Sequence, residues 1–321
     1  MKPRPRVNPL LALLIGILAA STAAIFIRYA QLYVPSLVIA AYRLGIATLV
    51  LAPFVILRKR QELKSLSRPD LLLALLSGLF LALHFAAWIT SLEYTSVASS
   101  VVLVSTVPLW VALLSPITLK EPITRLVMLG MVLALVGVLI VGLSDICTLG
   151  SGGFRCPAYQ EFVSGRAFLG DVLALIGAIM AAGYLILGRR LRRRISLTSY
   201  VFVVYGMAAF ILVILVLISA QPFIGYPPEA YLWLILLALI PQLLGHSTFN
   251  WALGFMSAAF VAISLLGEPI GATILAYIVL DETPTTMKIF GAILILTGIY
   301  VASRGEVKSI NQERKNSNPI S

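Results

Sequence analysis

Ten predominantly apolar stretches follow one another along the chain, at about 10–28, 35–57, 70–91, 97–117, 123–143, 167–188, 199–219, 230–250, 257–280 and 286–303. Each is close to the roughly 20 residues an α-helix needs to cross the hydrocarbon core of a bilayer. Polar and Pro/Gly signals separate them: Pro35, Arg58-Lys59-Arg60, the Lys120-Glu121-Pro122 turn, Arg189 to Arg194, Pro227-Pro228 and Asp281 to Pro284. The break near 93–96 is weaker, so the third span has a loosely set end. The pattern predicts an all-α, polytopic membrane protein with ten transmembrane helices.

Composition agrees and excludes other classes. Of 321 residues, 60% are hydrophobic and only 12% charged, with a mean hydropathy of +1.00. A soluble domain carries about 25% charged residues, so a soluble globular enzyme is excluded, as are disordered, collagen-like and coiled-coil chains. The net charge of +11 does not point to nucleic acid. The charges lie between apolar runs, with no zinc spacing and no aromatic–basic interleaving. With the N-terminus inside, 19 of the 24 Lys and Arg fall on the inner side, four fall outside, and Arg43 lies within a span. The positive-inside rule then places both termini in the cytoplasm, and the cell membrane is the location expected. The basic start and Ala19-Ala20-Ser21 also suit a cleaved signal peptide. The apolar run is long for one, however, and the repeat described next gives it a second-half partner. Cys147 and Cys156 share the loop at 144–166, outside in this orientation. Their spacing is neither CxxC nor a zinc pattern, leaving a disulfide or two free thiols.

Shifting the chain by 161 residues superposes its halves. Ile15-Gly16 meets Ile176-Gly177, Gly45 meets Gly206, and Ser96 meets Ser257. Pro108 meets Pro269, Glu121 meets Glu282, Thr124 meets Thr285, and Gly130 and Gly137 meet Gly291 and Gly298. Leu and Ala matches are cheap here; Pro, Glu and Gly matches in one register are not. A first repeat at 10–143 and a second at 167–303 are expected, with a cytoplasmic tail at 304–321. Each repeat holds five spans, an odd number, so the second enters the membrane from the opposite side. Inverted repeats of this kind build secondary transporters, with the solute site near the midplane between them.

Three stretches carry a resemblance to a known family: PSLVIAAYRLGIATLVLAP around Arg43, SVASSVVLVSTVPLWVALLSPITLKEPIT and SAAFVAISLLGEPIGATILAYIVLDETPT. Small residues, a central proline and a closing glutamate recur in the last two. Over roughly 10–303 the chain resembles the EamA-type drug/metabolite transporters, a ten-span family with two EamA repeats. The resemblance implies a carrier of small metabolites or drugs, often an exporter. The cysteine loop is longer than the family usually carries, and nothing is transferred onto it.

Polar side chains within spans are costly and mark functional positions. Glu268 lies mid-span before Pro269, and reads as a substrate or proton site or as a structural carboxylate with a hydroxyl or backbone partner. Gln242, His246 and Asn250 fall within a roughly 80° arc of one helix, and Ser77, His84, Trp88 and Ser91 within roughly 60° of another. The two faces suit opposite walls of a wet cavity, with packing histidines as the alternative. Arg43 either snorkels outward, pairs with a carboxylate such as Glu268, or holds an anionic solute group. Glu121 and Glu282 close spans four and nine and suit a structural role. Gly130, Gly137, Gly291 and Gly298 suit close helix packing, within the bundle or in a homodimer. There is no GxxxxGK[ST], HExxH or GxSxG, and two histidines without a carboxylate motif make a poor metal site. No cofactor and no metal are expected. The partners expected are a small solute, the lipid bilayer and protons, with His84 and His246 as proton relays or ligand donors and Trp88 as an apolar or stacking wall. A nucleotide-sugar or sugar-phosphate carrier is the alternative substrate class, though it calls for several cavity cations. An integral-membrane enzyme, which needs catalytic groups clustered near one interface, and a non-transporting receptor or assembly subunit of the same fold are the other competitors.

Overall fold

The computed structural model describes residues 7–95, 97–146, 148–150, 153–155, 166–280 and 283–317. Span one is two helices, α1 (Pro9–Ser21) and α2 (Ala23–Gln31), meeting at Thr22. Asn8 caps α1 by accepting from the Leu10 N–H at 3.0 Å, and Pro9 stands where a helix has no use for an N–H. Next come α3 (Ser36–Arg58), the short α4 (Arg60–Lys64) and α5 (Arg68–Tyr94). Ser67 starts α5 by accepting from the Asp70 N–H at 3.2 Å. Span four is again broken, into α6 (Val97–Val104) and α7 (Val107–Thr118), and α8 (Arg125–Ile146) completes the repeat. A short hairpin of β1 (Thr148–Gly150) and β2 (Gly153–Arg155), antiparallel with Thr148 opposite Arg155, lies in the loop at 144–166.

The second repeat opens with α9 (Arg166–Arg192) and α10 (Leu197–Ile218). Span eight is α11 (Pro228–Leu237), a π-helical segment (Ala238–His246) and α12 (Ser247–Ala252). Span nine divides into α13 (Ala258–Leu265) and α14 (Glu268–Leu280). The last helix, α15 (Thr286–Ser317), continues well past 303, so the described part of the expected tail is helical. Among the described residues, nine stretches are long and apolar enough to cross a membrane. The span expected at 123–143 falls on α8. Leu57 at 79% exposure, Ile117 at 76% and Ile218 at 75% turn bare aliphatic surface outward, as a helix facing hydrocarbon does.

The repeat governs local geometry. Proline has no N–H for the carbonyl four residues back and clashes with it. For Pro108 and Pro269 that residue is Val104 or Leu265, the last of α6 and of α13. Spans four and nine therefore break at equivalent points. Packing follows the same symmetry. Span three lies on span six and span eight on span one; span four lies on span six and span nine on span one. Spans two and seven pack together, as do α8 and α15. A Cβ on Gly298 would come 2.5 Å from Gly130 O, and one on Gly130 would strike Gly298 O. Likewise a Cβ on Gly137 would lie 2.6 Å from Gly291 O, and one on Gly291 2.8 Å from Gly137 O. Rising numbers on α8 thus meet falling numbers on α15. This reciprocal antiparallel crossing is what a two-fold axis across the helices produces, and it makes the repeats inverted. The four glycines are used inside the chain.

Carboxylates tie the helix ends. Glu62 accepts from Ser196 N at 2.7 Å and Oγ at 2.8 Å; Glu306 accepts from Ser257 N at 2.6 Å and Oγ at 2.7 Å. Ser196 and Ser257 are themselves the N-caps of α10 and α13. Each distant glutamate therefore satisfies an otherwise free donor and places negative charge at the positive end of a helix. Glu121 ion-pairs with Arg189 at 2.7 Å and with Arg193. Arg189 Nη1 also donates to Leu253 O at 2.8 Å, joining the ends of spans four, six and eight.

Candidate functional site

The breaks of spans one, four and nine, with the middles of spans two, three, six and eight, enclose one cavity between the repeats. Arg43, His84, Trp88, His246 and Glu268 all line it, beside Pro108 and Pro269. Gln242 and Asn250 stand behind the wall, fully buried, and hold residues that face inward.

Arg43 on α3 is 0% exposed, which removes the outward-snorkelling alternative. Its Nε donates to Gln242 Oε1 at 2.8 Å, and its Cζ lies 4.3 Å from the centroid of the Phe85 ring, a cation–π contact. Nη1 and Nη2 have no hydrogen-bond partner. It makes no ion pair with Glu268, whose carboxylate has no hydrogen-bond partner among the described residues. Glu268 begins α14, and its carbonyl accepts from Ser21 Oγ at 3.0 Å.

His84 on α5 sets its Nδ1 2.9 Å from Gly177 O. A carbonyl only accepts, so Nδ1 carries the proton and Nε2 is the acceptor of the neutral ring. That approach depends on Gly177, where a Cβ would lie 3.2 Å from Trp88 Cβ. His84 stacks on Trp88 with centroids 5.8 Å apart and an interplanar angle of 14°. Trp88 Nε1 is buried without a partner. His246 meets Phe85 edge-on at 5.3 Å and Phe249 at 5.9 Å.

The π segment explains why span eight departs from a uniform polar stripe. Pro241 lies inside it, and a widened turn accommodates a residue that cannot continue the normal ladder. Gln242 is thereby set against Arg43. Asn250, on regular helix beyond, donates Nδ2 to His246 O at 2.8 Å and to the Tyr184 hydroxyl. Tyr184 lines the cavity, and Tyr205 OH lies 3.2 Å from Ser247 Oγ. Neither tyrosine is singled out by the sequence reading; the available signal was a mid-span hydroxyl that must find a partner. Ser77 and Ser91 turn away from the cavity, to the Tyr200 hydroxyl at 2.8 Å and Ser100 Oγ at 2.6 Å. Cys147, Cys156 and Glu282 lie outside the described residues.

The repeat separates scaffold from chemistry. Gly16 and Gly177 correspond, and each lets its helix approach an aromatic residue: Phe249 for Gly16, Trp88 for Gly177. Trp88 and Phe249 correspond too, and both line the cavity. The charged groups have no such twins: Arg43 corresponds to Val204, and Glu268 to Val107. Symmetry was kept where backbones pack and broken where the cavity carries charge.

A helical, multi-pass membrane bundle with a cavity between inverted halves is the architecture on which secondary transporters are built. The chain belongs to the EamA-like transporter family, whose model matches residues 8–143 and 168–304. It is similar to an uncharacterised transporter of Synechocystis, 26% identical over 86% of this chain and 77% of that one. It is also similar to the pseudopaline exporter CntI of Pseudomonas aeruginosa, 25% identical over 91% and 95% respectively. A protein of known crystal structure shares the fold, with a TM-score of 0.73 at 18% identity, covering 94% of this chain and 98% of that one.

Proposed function

We propose that this transporter exports small metabolites across the cell membrane by alternating access, with both termini in the cytoplasm and the cavity between the repeats as the solute site. The observation that carries this is the pair of equivalent breaks in spans four and nine, which meet at the cavity that Arg43 and Glu268 line. Discontinuous helices at a repeat interface are where secondary transporters bind solutes and coupling ions. The similarity to an exporter supports the direction, and the excess of Lys and Arg between alternate spans supports the orientation. The absence of a nucleotide-binding motif from the sequence suits transport driven by a gradient.

Glu268 is the proposed coupling group. It is the carboxylate among the described residues lining the cavity, and no protein cation neutralises it by direct contact. Protonation would remove its charge during the crossing, and the two histidines would pass the proton. Proteoliposomes loaded with amino acids, aromatic metabolites and nucleosides test this reading under an imposed pH gradient. Wild-type flux should follow the gradient, and Glu268→Gln should abolish that dependence and slow the flux. Wild-type flux rates through Glu268→Gln, unaffected by pH, would remove Glu268 from the mechanism.

A further inference from the structure

We infer that the cavity grips its solute by a carboxylate group, held on the free edge of the Arg43 guanidinium. The inference rests on the cavity being the solute site and adds the chemistry that site selects.

A guanidinium presents five N–H donors in a planar fork. Gln242 takes the Nε side, and Phe85 lies against the face. Plane and rotation are thus both fixed, and the Nη1 and Nη2 edge is left without a protein partner in a fully buried residue. Stranding charged donors away from water is expensive, and here the arrangement strands several. Trp88 Nε1 and Gln242 Nε2 are buried donors without partners as well. The Glu268 carboxylate, which lines the same cavity, partners none of these donors. A planar carboxylate offers two oxygens at the spacing of the guanidinium fork, with lone pairs left for further donors.

The charge balance narrows the class. Among the described lining residues Arg43 is the sole Lys or Arg, and Glu268 faces the same cavity. A carboxylate brings one negative charge into a cavity that already holds Glu268, whereas a phosphate or sulfate dianion brings two against the single Arg43. The rest of the wall is apolar, with Trp88, Phe249 and Leu266 among it, and suits a compact hydrophobic body. The geometry therefore points to small solutes with a single carboxylate and an apolar or ring-containing remainder. Gln242 acts as a positioning residue that aims the fork.

Matched acids and amides test this on the purified full-length protein in detergent. Benzoate and phenylacetate would be compared with benzamide and phenylacetamide, and with phenyl phosphate and chloride at equal ionic strength, by thermal stabilisation and by uptake of labelled phenylacetate into vesicles. The acids should stabilise the protein and their amides, the phosphate and chloride should not. Arg43→Lys, which keeps the charge and loses the fork, should weaken acid binding by about tenfold or more, the scale of one charged hydrogen bond. Amides, phosphate or chloride acting as well as the acids would overturn the inference, as would undiminished acid binding by Arg43→Lys. Should Arg43→Lys fail to fold, the acid–amide contrast in the wild-type protein still decides the matter. Acid binding without any flux would leave this inference standing and remove the transport reading. Flux of other solutes with no acid preference would do the reverse.

Discussion

Replacing Glu121 by alanine tests how the helix ends are tied. Glu121 reaches from the turn after α7 to Arg189 on α9 at 2.7 Å, with side chains only 14% and 7% exposed. At that burial, solvent screens the pair far less than a surface salt bridge. Hydrogen bonds to charged groups contribute about 1.5–3 kcal/mol, and stranding one member of a buried pair costs about 3–5 kcal/mol. Two features pull the expected value down. Arg189 keeps its bond to Leu253 O, and Glu121 Oε2 has no partner to lose. Arg193, 37% exposed, adds little. The expected loss is about 2–4 kcal/mol for Glu121→Ala, and a smaller one for Glu121→Gln, which keeps an acceptor. Reversible unfolding in mixed micelles would measure it, in a double-mutant cycle with Arg189→Met. The double variant should be more stable than the sum of the single losses implies, with a coupling of about 1–3 kcal/mol. Strict additivity, or Glu121→Ala within about 0.5 kcal/mol of wild type, would refute the reasoning.

Other outcomes follow from single contacts. Gly298→Ala should cost about 1–3 kcal/mol in the same assay, because its Cβ meets backbone atoms of Gly130 and Ala134 at 2.5 and 2.6 Å. Gly45→Ala, with nothing within 4 Å of the new Cβ, should be neutral or stabilising by up to about 1 kcal/mol. Burial pushes the Glu62 carboxyl up, but hydrogen bonds from Ser196 and Lys59 outweigh this and hold it below its ordinary value. Its stabilising effect is therefore complete above the unfolded carboxylate range and lost as pH falls through the lower folded value. The stability gap between wild type and Glu62→Gln should be widest near neutral pH and close in acid; a gap that widens in acid would contradict the assignment. Pro269→Ala should leave the protein folded and slow solute flux, since it lets α13 and α14 run together; unchanged flux in vesicles would separate the break from transport.

Much of the architecture was legible because long apolar runs and rare residues in one register are local signals. Pro108 and Pro269 marked equivalent points of the two repeats, and the four glycines announced close helix packing. The third span ran to Tyr94, past its expected end, where no strong breaker stood. The last helix ran to Ser317, because a polar helix end carries no hydrophobic signature. The π segment was hidden, since periodicity assumed 3.6 residues per turn throughout. That assumption put Gln242, His246 and Asn250 on one cavity face, whereas only His246 lines the cavity. The Arg43–Gln242 bond joins residues 199 apart in the chain, and no spacing rule reaches that far. The same holds for Asn250 with Tyr184, and for Glu306 closing the start of α13.

Counterflow in proteoliposomes tests the central claim most directly. Vesicles loaded with a mixed pool of amino acids, aromatic metabolites and nucleosides would be given each labelled compound in turn, with protein-free vesicles as control. Protein-dependent accumulation of one class, reduced by Glu268→Gln, is the result expected of a carrier working through this cavity. Folded protein that accumulates none of them beyond the control would contradict it.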